Sequence, residues 1–314
     1  MADWYFRNNQ SGLKACPGCR NLVRSNEEFC PYCAKRLREE GGARGLFKRI
    51  QNMPLLSTRI LLGLMILGFM LQILADMRLP ARFHTDTPSA GLGSILVSQM
   101  LTYYRLGSNF HPYVAVFGEV WRFVTYCFLH FGLIHILFNG YAFWSLGPLA
   151  ERLWGGRQVF ATFILAGIAG GAASFGWNQL LGKVVTSAGA SGAICGILGL
   201  LLGAYYRNKF HVGQYLGGQL IQWAVMIIAF GLLMGADNAA HIGGMVAGGL
   251  LGYFMPPTQS TKTPGRDAKI WNTLAVVALL ALLTSVGFAA HYYFQGPEYA
   301  AKMTWAVAEA MGRR

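Results

Sequence analysis

Seven apolar runs, each close to the length that crosses a bilayer, decide what this chain can become. They lie near residues 58–74, 131–150, 158–175, 190–206, 218–233, 240–255 and 271–292. A hydrocarbon core takes roughly 17–25 apolar residues of helix, because in lipid every backbone N–H and C=O must be satisfied within the segment. Composition agrees. Of the 314 residues 54% are hydrophobic and 12% charged, with mean hydropathy +0.38, against about 25% charged in soluble domains. The pattern predicts an all-α polytopic membrane protein. The first run is not expected to be a cleaved signal peptide, since a long polar stretch precedes it and no small-residue cleavage site follows.

The net charge of +13 is distributed in a way that argues for topology, and no nucleic-acid partner is expected. Residues 1–59 and the loops after the second, fourth and sixth runs hold 18 of the 26 Lys and Arg. Short Lys/Arg-rich segments stay on the cytoplasmic side. The N-terminus is therefore expected in the cytoplasm and the C-terminus outside, in a bacterial inner (cell) membrane.

Ahead of the first run, Cys16, Cys19, Cys30 and Cys33 form two CxxC pairs. Four thiolates at this spacing suit one tetrahedral structural Zn²⁺, and a reducing cytosol would keep them free for metal. The rival reading of the CPYC stretch is a redox dithiol, which needs a βαβ context that this short polar segment has no room for. Metal would hold together a module too small to fold alone, and the module is also a candidate for docking a protein partner. Arg20, Arg24, Lys35, Arg36 and Arg38 suit the topology signal or anionic headgroups. The domain reading is a zinc-ribbon-like module over 1–40, a linker over 41–57, a membrane core over 58–255, and a loop, seventh helix and tail over 256–314.

Ionisable and amide groups inside spans are costly and suggest function. His135 and Asn139 are four apart on the second run, hence on one helix face, with His130 just ahead of it. Ser191 opens the fourth run and His241 falls in the first turn of the sixth. Alternate spans cross in the same direction, so these groups share one layer in the outer half of the membrane. Glycines on the fourth and sixth runs (Gly192, Gly196, Gly199, Gly203; Gly243, Gly244, Gly248) would let those two helices approach closely. That approach would put Ser191 within reach of His241, the arrangement that activates a serine nucleophile. His135, Asn139 and the Ser191 backbone N–H would then serve as oxyanion donors. Asp237, four residues before His241, suits a helix cap better than a third triad member. An inverted repeat of the kind transporters carry is not apparent.

The motifs GASG (189–192), HILFN (135–139), AHIGG (240–244), WR (121–122) and GPLAERLWG (147–155) resemble those of the rhomboid intramembrane serine proteases. The resemblance implies a six-helix core over 58–255 with a Ser191–His241 dyad and an oxyanion site including His135 and Asn139. It implies cleavage of transmembrane protein substrates within or beside a membrane segment, with no cofactor for catalysis. It also implies that residues 76–130 form a loop lying partly in the outer leaflet, and that Glu151 and Arg152 are structural. Trp121 and Arg122 match the family's Trp-Arg pair, though an interfacial anchor with a snorkelling arginine fits them equally. Many family members carry an aromatic four residues after the nucleophile. Cys195 stands there in this chain, which would leave His241 less constrained. The alternative function is a catalytically weak rhomboid-like protein that binds membrane clients.

Overall fold

The computed structural model describes residues 13–16, 18–24, 27, 30–33, 55–80, 100–207, 214–255, 257 and 264–310. The chain divides into two compact units, Met1–Leu56 and Ser57–Arg314. Lys35, Arg36, Arg38 and nearly all of the 41–57 linker lie outside the described residues.

In the first unit β1 (Leu13–Ala15) and β2 (Leu22–Arg24) pair antiparallel, Leu13 opposite Arg24. The turn between them is a tight knuckle. The Cys16 N–H donates to the Asn21 carbonyl at 2.8 Å, the Arg20 N–H donates back to the Cys16 carbonyl at 2.9 Å, and Arg20 takes φ 62°. Among the described residues of this unit, Cys16, Val23 and Cys30 form the buried cluster, with Cys19 packed against it.

The second unit is helical. In chain order it comprises α1 (Leu56–Met77), α2 (Met100–Leu106), β3 (Asn109–Phe110), α3 (His111–Phe117), α4 (Arg122–Thr125), α5 (Leu133–Trp154), α6 (Gly156–Leu180), β4 (Thr186–Ser187), α7 (Ser191–Arg207), α8 (Gln214–Met234), α9 (Asn238–Phe254), α10 (Pro264–Phe294) and α11 (Pro297–Ala310). Each of the seven apolar runs is a helix. Three of these, α1, α6 and α10, are long and apolar enough to cross a membrane by themselves, and Arg122–Phe128 with α5, bent by 96°, makes a fourth. The helices α7 and α9 have 17 residues each. That is a rise of about 26 Å, a little under the roughly 30 Å of a hydrocarbon core.

Of the two, α7 lies in the middle of the packing, whereas α9 buries its glycine face and leaves Ile242, Val246, Leu250 and Phe254 exposed. Along α7 the side chains of Ala193, Ile194, Cys195, Ile197, Leu198, Leu200 and Leu201 are all buried, as expected of a helix apolar all round. Its glycines meet those of α9 backbone to backbone. A Cβ on Gly244 would fall 2.0 Å from the Gly192 carbonyl oxygen, one on Gly248 1.8 Å from that of Gly196, and one on Gly203 2.1 Å from that of Gly249. No side chain fits between helices this close, so the small residues fix the register of α7 on α9.

Two further features hold the site in place. At the end of the bundle away from it, buried Glu151 on α5 caps the start of α1. It accepts from the Ser57 N–H at 3.0 Å, the Thr58 N–H at 2.8 Å and the Thr58 hydroxyl at 2.6 Å, satisfying donors that a helix start leaves open. At the other end, segment 100–128 is folded into α2, α3, α4 and a 3-10 turn. Asn109 pairs with Ser187 through the β3–β4 ladder, which ties this segment to the stretch just before Ser191. Arg122 does not snorkel. It is fully buried, donates to Glu119 at 2.5 Å and to the carbonyls of Tyr104 and Ser108, and lies over the rings of Trp121 and Tyr113. The C-terminal helices grip the same segment: Tyr292 of α10 donates to Glu119, Arg105 donates to the Tyr293 carbonyl at 3.0 Å, and Tyr113 donates to the Ala300 carbonyl of α11 at 3.1 Å.

Candidate active site

Ser191 is the first residue of α7, and His241 lies one turn into α9. The close glycine contact of the two helices brings them together, with the His241 Nε2 and the Ser191 Oγ 2.8 Å apart. His241 is 5% exposed, so the base is sheltered from bulk water, while Ser191 is half-buried.

The start of α9 is built by two adjacent side chains. Asp237 is the N-cap and accepts from the Ala240 N–H at 3.1 Å, which satisfies one open donor of the helix. Its other oxygen accepts from the hydroxyls of Ser174 and Ser187. Asp237 is thus occupied as a cap. The group at the second ring nitrogen of His241 is Asn238, with its Oδ1 3.1 Å from Nδ1. Reading the sequence alone passes over Asn238, because its other partner, the Ile228 carbonyl at 3.1 Å, comes from α8 and is brought in only by the turn between the helices. The position one turn ahead of a histidine was the available signal. The ring that Cys195 was expected to leave loose is tied by Asn238, while Cys195 itself is buried within α7.

His135 and Asn139 converge on the loop before Ser191. Gly189 takes φ +134°, and a Cβ there would fall 2.7 Å from His135 Cε1, 2.9 Å from His135 Nε2 and 3.6 Å from Asn139 Nδ2. Only glycine suits this point, for backbone conformation and for space. The Phe131 N–H donates to His135 Nδ1 at 3.3 Å. A neutral imidazole that accepts at Nδ1 carries its proton on Nε2, so an N–H donor faces the loop. Asn139 is buried and, among the described residues, its Nδ2 has no partner. Two side-chain donors therefore stand beside the nucleophile candidate, with the first N–H groups of α7 open as at any helix start. His130 stacks edge-on against His135 at 5.3 Å between ring centroids.

The profile of the rhomboid domain matches residues 117–258. The chain carries a rhomboid domain. It is 34% identical over 183 residues to "Rhomboid protease GluP" of Bacillus subtilis, covering 58% of this chain and 33% of that protein. It is 29% identical over 195 residues to "RHOMBOID-like protein 5" of Arabidopsis thaliana, covering 56% and 61%. With "Rhomboid protease GlpG" of Yersinia pseudotuberculosis it shares 30% over 140 residues, covering 43% and 48%. The chain thus spans between a third and about three fifths of the length of these relatives. The matched rhomboid domain contains Trp121, Arg122, His135, Asn139, Ser191 and His241.

The N-terminal cysteines lie outside that domain and form their own cluster. Their four Sγ atoms are all within 4.8 Å of one another, with Cys16 and Cys33 3.5 Å apart and Cys19 and Cys30 3.6 Å apart. These separations are near the edge of a tetrahedron with Zn–S of about 2.3 Å and far longer than a disulfide of about 2.05 Å. The donor set fits the metal. The backbone N–H of Cys19, and after it that of Gly18, stabilise the Cys16 thiolate and bring its pKa down to about 6, so this donor is charged at neutral pH.

Proposed function

We propose that the protein is an intramembrane serine endopeptidase that cleaves transmembrane proteins within or next to a membrane segment. The observation that carries this reading is the 2.8 Å contact between the Ser191 Oγ and the His241 Nε2. His135 and Asn139 converge on Gly189, two residues before this serine, in a layer that apolar packing would otherwise fill. The GluP and GlpG relatives, both named rhomboid proteases, support the same reading.

In the reaction, His241 takes the Ser191 proton as Oγ attacks the peptide carbonyl carbon. The carbonyl π pair moves to oxygen, and the oxyanion accepts from His135 Nε2–H, Asn139 Nδ2–H and the Ser191 N–H. His241 returns its proton to the leaving amine as the C–N bond breaks. A water molecule, deprotonated by His241, then attacks the acyl-serine carbonyl, and His241 returns that proton to the Ser191 Oγ as the ester C–O bond breaks. Every proton and electron pair is carried by these side chains and water.

The same reading assigns one structural Zn²⁺ to Cys16, Cys19, Cys30 and Cys33. It keeps the domain division 1–40, 41–57, 58–255 and 256–314, and orients the N-terminus to the cytoplasm and the site to the outer side of a bacterial cell membrane. The test is cleavage of a single-span model substrate by the purified protein in bilayers, wild type beside Ser191→Ala. The reading requires cleavage by the first and none by the second. Equal cleavage by both would assign it to a contaminant or another residue.

A further inference from the structure

We infer that Asn238 is a positioning residue that sets the protonation of His241, an inference that rests on the proposed proteolytic reading of the site. Three contacts carry it. The Asn238 amide lies 3.1 Å from the Ile228 carbonyl oxygen on one side and 3.1 Å from His241 Nδ1 on the other, and His241 Nε2 lies 2.8 Å from the Ser191 Oγ.

The chemistry of these groups leaves one consistent assignment. A backbone carbonyl oxygen can only accept, so the Asn238 NH₂ must face Ile228. The amide oxygen then faces His241 Nδ1, and since it too can only accept, Nδ1 must carry the proton. In the neutral imidazole Nε2 is consequently bare, with its lone pair directed at the Ser191 hydroxyl. Turning the amide over would set two acceptors against each other at Ile228. The Ile228 carbonyl thus fixes, through Asn238, which nitrogen of His241 receives the proton from serine. In soluble triads a carboxylate does this; here Asp237 is committed to the helix cap and a neutral amide takes the place.

The surroundings hold the amide in register. Asn238 is the first residue of α9, directly after a tight turn in which the Ala236 N–H donates to the Gly231 carbonyl at 2.8 Å and Gly235 takes φ +68°. Its side chain folds back onto α8 at Gly231. A Cβ on Gly231 would fall 2.2 Å from Asn238 Oδ1, so the absence of a side chain at 231 makes room for the amide.

The experiment compares wild type, Asn238→Ala, Asn238→Asp and Gly231→Ala by substrate turnover, by the rate of Ser191 labelling with a fluorophosphonate, and by ¹⁵N NMR of the histidine rings. Asn238→Ala should lower kcat and the labelling rate about tenfold, the scale of one ordinary hydrogen bond, with KM within about twofold. Its His241 signals should lose the Nδ1-protonated signature. Asn238→Asp still accepts from Nδ1 but sets an acceptor against the Ile228 carbonyl, so its rate should fall between those of Asn238→Ala and the wild type. Gly231→Ala adds a better helix former to α8 yet should reproduce the loss by displacing the amide. Full turnover in Asn238→Ala with unchanged ring signals would overturn the inference, as would an Asp variant no faster than the Ala variant. A wild type that neither cleaves nor labels would instead sink the proteolytic reading. The NMR comparison of wild type with Asn238→Ala would then still decide whether Asn238 sets the tautomer.

Discussion

At the residue scale, the two nitrogens of His241 and the free amide of Asn139 make separable predictions. Replacing Ser191 or His241 by Ala removes the nucleophile or its base, a loss on the order of 10⁶ in kcat in soluble serine proteases. Both variants should show no detectable cleavage. Asn139 is different because its buried Nδ2 has no partner among the described residues. A buried donor left unpaired costs stability, so Asn139→Ala should melt at or above the wild-type temperature. It should nevertheless lose about 10²–10³ in kcat, the usual cost of one oxyanion donor. A thermal melt and a turnover assay on the same preparation check both halves, and normal cleavage by Asn139→Ala would remove it from the oxyanion site. Much of this was legible in the sequence. Ser191 and His241 stood at the starts of apolar runs, and Asp237 read as a cap. Asn238 was not legible, because a polar residue at a helix start is ordinary and its decisive partner is a carbonyl ten residues away, on a different helix.

At the scale of elements, each of the seven apolar runs is a helix, most ends falling within five residues of the run, while α10 begins seven residues earlier, at Pro264. What periodicity could not reveal was segment 100–128, whose helices are short and which buries Tyr103, Phe110, Tyr113 and Arg122 against other parts of the chain. The 96° bend before α5 was equally hidden, since it depends on the backbone of the four-residue break 129–132. The α7–α9 seam gives the sharpest test of the packing. Gly248→Ala places a methyl 1.8 Å from the Gly196 carbonyl oxygen. Overpacking typically costs about 1–3 kcal/mol, and here backbone must move, so a loss at the upper end is expected. Gly176→Ala on α6 meets nothing within 4 Å and should stabilise by up to about 1 kcal/mol from helix propensity. Melting both in one detergent isolates the contact from the generic effect of adding alanine. Glu151→Ala should also destabilise, by about 1–2 kcal/mol, because it strips the cap from α1 without touching the site.

At the scale of the whole molecule, the two units are expected to be chemically independent. The cysteine cluster has the donor set and spacing for a metal, and the serine site draws on none of those residues. A Cys16/Cys19/Cys30/Cys33→Ser variant of the full chain should lose about one zinc per chain by elemental analysis while cleaving a model substrate at close to the wild-type rate in detergent. A wild type without bound metal would contradict the zinc assignment, and a variant without activity would contradict the separation. The C-terminal helices are less neutral than a seventh span suggested from sequence. Through Tyr292, Tyr293 and Ala300 they hold the segment that borders the site, an arrangement that polar side chains scattered along two helices could not announce. The central claim, that Ser191 is an activated nucleophile, is tested most directly by mapping where a fluorophosphonate attaches to the full-length protein. The account predicts one adduct, on Ser191, formed by the wild type and by Asn139→Ala and lost in His241→Ala. An adduct on another residue, or labelling of Ser191 that is undiminished without His241, would contradict it.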